Sequence, residues 1–210
     1  MQTRQLRLHW IGHVVAASAL LLCPGAALGQ GTLTFDGGAG ISSTFYYESG
    51  LWFNVVIPAG SGYDDMGIIP PGAANHPQNS SPFMIFYRQY NPYDYVALSY
   101  TNGVRFGLTS VRLADPTSPS PSPVPISFVG HLAGGLTVTN TFTTPGNGAT
   151  TFATYTFNSD FGWGLTSVDI LAPKWAMDNL VFVIPEPGHC AMFCLGLLGF
   201  AARRRERREP

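Results

Sequence analysis

Cysteine is almost absent: the chain has three, Cys23, Cys190 and Cys194, and all lie in apolar stretches near the two ends. The long span between them has none, so it folds without a disulfide. Charge is also sparse, at 11% of residues, too little to clothe many solvated helices. Basic charge is scarcer still. Residues 30–185 carry Arg88, Arg105, Arg112 and Lys174 against nine acidic side chains, a net of −5. Phosphate binding needs clustered Lys and Arg, so nucleic acid is excluded as a partner. Histidine in that span is limited to His76 and His131, far apart in sequence. No Gly-x-Ser-x-Gly elbow, His-Glu-x-x-His helix or phosphate-binding glycine loop occurs. Asp64-Asp65 sits in a Gly-rich loop, where adjacent acids are ordinarily solvated. Catalysis is not expected.

What is abundant is Gly, Pro, Ser, Thr and aromatic residues, a composition that favours strands and turns. Strands are predicted at 32–35, 51–57, 83–88, 95–100, 106–113, 126–132, 136–144, 151–157, 165–171 and 175–183. Leu136, Val138 and Phe142 alternate with Thr137, Thr139, Thr141 and Thr143, the period of two of a half-buried strand. Asn102-Gly103, Gly134-Gly135 and Pro145-Gly146-Asn147-Gly148 supply turns. Two long loops are expected, one at 59–82 and a rigid Pro-Ser one at 116–125. The octet starting at Phe106 echoes the one starting at Trp163, as equivalent strands of facing sheets would. The fold expected is an all-β antiparallel sandwich.

The two ends are built differently. Arg4 and Arg7 precede an apolar run over residues 11–23, followed by Pro24-Gly25-Ala26-Ala27-Leu28-Gly29. That order is a secretory signal, with the cut for signal peptidase preceding Gln30. At the other end Pro185-Glu186-Pro187 stops the last strand, and 13 residues of mostly apolar character, 190–202, lead into Arg203, Arg204 and Arg205. Arginines stay cytoplasmic, so the tail threads outward-in. The stretch falls short of the roughly 20 residues a bilayer requires, which suits a transient processing signal and makes the membrane a partner only before processing.

Pro185, Glu186 and Pro187, the apolar stretch and the Arg203-Arg204-Arg205 cluster resemble the PEP-CTERM sorting tail. The resemblance implies recognition by an exosortase and cleavage near the Pro-Glu-Pro motif. It places the protein first in the inner membrane, then at the cell surface or in the extracellular matrix of a Gram-negative-type bacterium, among exopolysaccharide. The expected organisation is a signal peptide at 1–29 with a signal helix, a sandwich domain at 30–183, and a sorting tail at 184–210 with a short transmembrane helix.

The succession of strands resembles the jelly-roll domains of PEP-CTERM proteins and carbohydrate-binding modules. The likeness rests on Thr34-Phe35-Asp36-Gly37, Phe106-Gly107-Leu108-Thr109-Ser110-Val111 and Met177-Asp178-Asn179-Leu180-Val181-Phe182. It implies a jelly roll, and a structural calcium held by acids near the first and last strands, here Asp36 and Asp178. Independently, Asp178 shares strand parity with Leu180 and Phe182, which would place a carboxylate on an apolar face. A hard cation would resolve that conflict.

Sugar rings stack their C–H faces on aromatic side chains. The sequence offers Tyr90, Tyr93 and Tyr95 on a Pro-broken loop, and Trp163, as the expected polysaccharide surface. The function expected is an exported surface or matrix protein with affinity for exopolysaccharide. The competing class is a purely structural or adhesive component without a ligand, and behind it a secreted glycan-active enzyme.

Overall fold

A computed structural model describes residues 28–38, 40–57, 64–88, 93–119, 121–146 and 148–186. The expected signal and transmembrane helices lie outside the described residues, and among those described no helix is long and apolar enough to cross a membrane. A compact unit runs from Gln30 to Ile184.

The described residues form strands β1 (Leu28–Leu33), β2 (Ser42–Ser43), β3 (Phe45–Glu48), β4 (Leu51–Val56), β5 (Met66–Ile69), β6 (Phe83–Tyr87) and β7 (Tyr95–Tyr100). After these come β8 (Gly107–Ala114), β9 (Pro125–Leu132), β10 (Thr137–Thr143), β11 (Ala153–Thr156), β12 (Leu165–Leu171) and β13 (Lys174–Pro185). They assemble into two antiparallel sheets. One has the order β11-β8-β13-β6-β5-β2, with β1 also on β13; the other has the order β10-β9-β12-β7-β4-β3. From β4 onward the chain changes sheet at almost every connection, the winding of a jelly roll. The expected antiparallel sandwich is the observed one.

Alternation explains the layers. Leu51, Phe53, Val96, Leu98, Phe128, Val168 and Ile170 of the six-stranded sheet are fully buried, as are Phe86, Val111, Leu113, Trp175, Met177 and Leu180 of the seven-stranded one. All belong to one continuous core. Aromatic pairs fill its middle: Phe86 lies 5.8 Å from Trp175, and Phe157 stacks on Phe161 at 5.1 Å. A second, smaller apolar cluster, formed by Phe83, Phe152, Ala114 and Ala176, lies on the opposite face of the seven-stranded sheet. It is covered by the chain around Gln78 and Thr151, which pair as an isolated bridge.

The two matching octets fall on β8 and β12, one in each sheet. The 59–82 segment departs from expectation, because Met66–Ile69 within it forms β5 and buries Met66 and Ile68. The hairpin β3–β4 also extends the sheet beyond the expected strands, turning at Ser49-Gly50. Both of those residues have positive φ, 52° and 87°, which glycine accepts without cost.

Candidate functional site

Asp178 stands where a bulge puts it. Asn179 adopts φ 45° and the β13–β8 register shifts between Asp178 and Val181. That extra residue reverses parity, so Leu180 and Phe182 enter the core while Asp178 shares the opposite face with Ala176. The expected common face for Asp178, Leu180 and Phe182 is therefore corrected. Asp178 is still fully buried, under the Asn79–Ser81 segment, and its register partner on β8 is Arg112. Arg112 Nη1 lies 3.4 Å from Asp178 Oδ2, while Asn79 Nδ2 at 3.0 Å and Ser81 Oγ at 3.3 Å donate to the same oxygen. Arg112 also lies over the Phe152 ring at 5.4 Å.

The carboxylate thus has a countercharge and two neutral donors from the chain itself. Its Oδ1 is buried with no hydrogen-bond partner among the described residues, the one feature there that a cation would satisfy. Asp36 is exposed after β1 and accepts from Thr34 Oγ1 at 2.8 Å. Among the described residues no group of three or more His, Cys, Asp or Glu side chains gathers as a metal site. Donors surround Asp178 where a calcium ion would want oxygen ligands, so these residues fit a hydrogen-bonded ion pair and do not fit a calcium ion shared with Asp36.

The expected aromatic surface is divided. Tyr90 lies outside the described residues. Tyr93 is 74% exposed at the turn before β7, and Tyr95 is half-buried at the start of that strand. Burial, and then the charge of Asp169, raise the Tyr95 phenol above its usual pKa. Trp163 is 40% exposed, just ahead of β12. Since Val96 pairs with Ile170 and Ser99 with Ser167, Tyr95 lies at the Leu171 end of β12 and Trp163 beyond the other. Eight residues of strand separate them, roughly 26 Å. Trp163 and the Tyr93–Tyr95 pair do not form one surface. Elsewhere in the domain Trp175 is fully buried and Tyr46 belongs to the core.

A different constellation stands on the outer face of the six-stranded sheet. Register aligns Tyr47, Trp52, Ser99, Ser167, His131 and Thr137 in one row across all six strands. The next outward row is Phe45, Asn54, Ala97, Asp169, Val129 and Thr139. Phe45 and Tyr47 are 55% and 49% exposed. Their ring centroids lie 6.2 and 4.8 Å from that of Trp52, so the three form an aromatic wall at the β3–β4 edge. Small side chains, Ala97, Ser99 and Ser167, make the floor beside it. Across the floor, His131 Nε2 lies 2.8 Å from Asp169 Oδ2. Thr166 Oγ1 donates to the His131 carbonyl at 2.9 Å, which helps hold β9 against β12.

The hairpin sequence Phe45-Tyr46-Tyr47-Glu48-Ser49-Gly50-Leu51-Trp52 held the signal for the wall, since alternation about a two-residue turn puts Phe45, Tyr47 and Trp52 on one face. His131 and Asp169 come from other hairpins, and only the strand order brings them opposite.

Fold and surface together define an antiparallel β-sandwich with an aromatic-walled, polar-floored outer sheet. The chain also carries the PEP-CTERM protein-sorting motif, matched over residues 183–205, and is therefore an exported protein sorted to the cell surface. The match begins within β13 at Val183. Pro185 and Glu186 are described residues, whereas Pro187, Arg203, Arg204 and Arg205 lie outside them.

By sequence, no curated protein matches the chain. Three similar solved structures come from Clostridium thermocellum. One is a family 11 carbohydrate-binding module in complex with a β-1,3-1,4-mixed-linked tetrasaccharide, at 12% identity and TM-score 0.39, covering 78% of this chain and 100% of that one. Another is the family 11 carbohydrate-binding module of the cellulosomal cellulase Lic26A-Cel5E, at 11% identity and TM-score 0.37, with the same coverage. The third is the N-terminal endo-1,4-β-D-xylanase 10B, as CBM22-1–GH10 modules complexed with xylohexaose, at 11% identity and TM-score 0.40 over 74% of this chain. This chain spans only 28% of the length of that structure.

Proposed function

We propose that the protein is an exported, non-catalytic polysaccharide-binding module of the cell surface or extracellular matrix of a Gram-negative-type bacterium. The observation that carries the reading is the outer face of the six-stranded sheet, where Phe45, Tyr47 and Trp52 stand beside Asn54, Ser99, Ser167, Asp169 and His131. A sugar ring presents apolar C–H faces and a rim of hydroxyls. The wall offers stacking surface to the first, and the polar side chains offer donors and acceptors to the second. In this reading signal peptidase removes residues 1–29, exosortase processes the tail, and the domain meets exopolysaccharide outside the cell.

Affinity electrophoresis of the folded domain in gels containing soluble polysaccharides tests the reading. Retardation that Trp52→Ala abolishes, with unchanged melting, supports it. Migration identical to that in a polysaccharide-free gel, for every glycan tried, overturns it.

A further inference from the structure

Glycan polymers divide by charge, and the outer sheet bears on which class fits. All six of its strands together contain no Lys or Arg. Their ionisable side chains, other than tyrosines, are Glu48, Asp169 and His131. The basic residues found within strands, Arg112 and Lys174, belong to the other sheet, where both are committed to acids: Arg112 to Asp178 at 3.4 Å, and Lys174 to Asp115 at 2.9 Å. A polyanion laid on the outer sheet therefore meets a carboxylate and no Lys or Arg, and the one strand-borne group able to carry positive charge, His131, is already engaged with Asp169.

Asp169 is positioned to accept from hydroxyls. His131 engages its Oδ2, and Oδ1 makes no hydrogen bond to any described residue. Its side chain is 24% exposed, partly withdrawn from water, where a nearby negative charge on a ligand is screened less than at an open surface. From Trp52 on β4 to His131 on β9 is three strand spacings, ~14 Å. That width sets a stacked ring, the small-residue floor and the Asp169–His131 pair within reach of one glycan chain.

We infer that this face selects uncharged hexose polymers and rejects polyuronates, with Trp52 as the stacking platform and Asp169 as both hydroxyl acceptor and charge filter. The inference rests on the polysaccharide-binding reading and adds the chemical class of the ligand.

The experiment runs the wild-type domain, Trp52→Ala, Asp169→Asn and Ser167→Arg through affinity gels containing hydroxyethyl cellulose, galactomannan, alginate or polygalacturonate. Melting curves confirm that each variant is folded. The expected result is retardation of the wild type by at least one neutral polymer and by neither polyuronate. Ser167→Arg, which places a cation beside Asp169, should gain retardation in the polyuronate gels, and Asp169→Asn should weaken neutral binding several-fold. Polyuronate retardation of the wild type equal to or greater than neutral retardation overturns the charge inference and leaves the binding reading standing. No retardation by any of the four polymers overturns the binding reading, and the inference falls with it.

Discussion

Phe106 and Leu165 exchange both of their backbone hydrogen bonds, at 3.0 and 2.9 Å, and so fasten the start of β8 in one sheet to the start of β12 in the other. Both residues are fully buried. Such a bridge between facing sheets needs the two backbones to come close together, and the next residue permits it. A Cβ on Gly107 would lie 2.1 Å from the Gly162 carbonyl oxygen, a backbone atom that cannot swing away.

Gly107→Ala is therefore expected to force the corner apart and to destabilise the domain by about 2–3 kcal/mol, the upper part of the range for overpacking in a tight interior. Denaturant unfolding measures it. Stability within error of wild type would show that the corner is free to relax.

How far the sequence revealed all this depends on where the information sat. Alternation announced β10, where Leu136, Val138 and Phe142 interleave with threonines. β5 was missed because Met66, Ile68 and Ile69 are a very short apolar run amid Gly and Pro, and β3 because Phe45, Tyr46 and Tyr47 in succession show no period. The parity argument for Asp178 failed on one residue, since the bulge at Asn179 leaves no mark in a pattern of apolar and polar letters. For the surface, Tyr95 was expected on a Pro-broken loop and instead begins β7. The pairing of His131 with Asp169, 38 residues apart, is a product of strand order, which turn chemistry does not dictate.

The Asp178–Arg112 pair makes a second prediction. Arg112→Met keeps an apolar stem, loses the guanidinium over Phe152 and strands a buried carboxylate, and should cost roughly 2–3 kcal/mol, somewhat under the penalty for breaking a fully buried pair because Arg112 is 32% exposed. Adding Asp178→Asn should recover part of that loss, read from urea unfolding of the single and double variants. Additive losses would mean that the two charges do not stabilise one another.

If Arg112 is the countercharge, chelation has nothing to remove. Thermal melting in EDTA is expected to match melting in calcium. A midpoint that falls with EDTA and returns with added calcium would instead establish a cation on the unpartnered Asp178 Oδ1.

Alkaline titration probes the buried phenols. Burial raises the pKa of Tyr46, Tyr87, Tyr95 and Tyr155, and for Tyr46 the hydrogen bond to Glu48 adds to the effect. An unfolded chain releases these protons near pH 10, whereas the folded one holds them to higher pH. Stability should be fully present below about pH 10 and fall as pH rises above it. Tyr46→Phe should flatten that decline, and an equally steep fall in the variant would assign the loss to other groups.

Pro185 is the last residue of β13, which carries hydrogen-bonded neighbours on both flanks. An attachment made just beyond it would pull lengthwise on an interior strand, whose bonds to β8 resist together in shear instead of opening one by one. The Phe106–Leu165 corner, with its two backbone hydrogen bonds, ties β8, and through it β13, to the sheet that carries the aromatic wall.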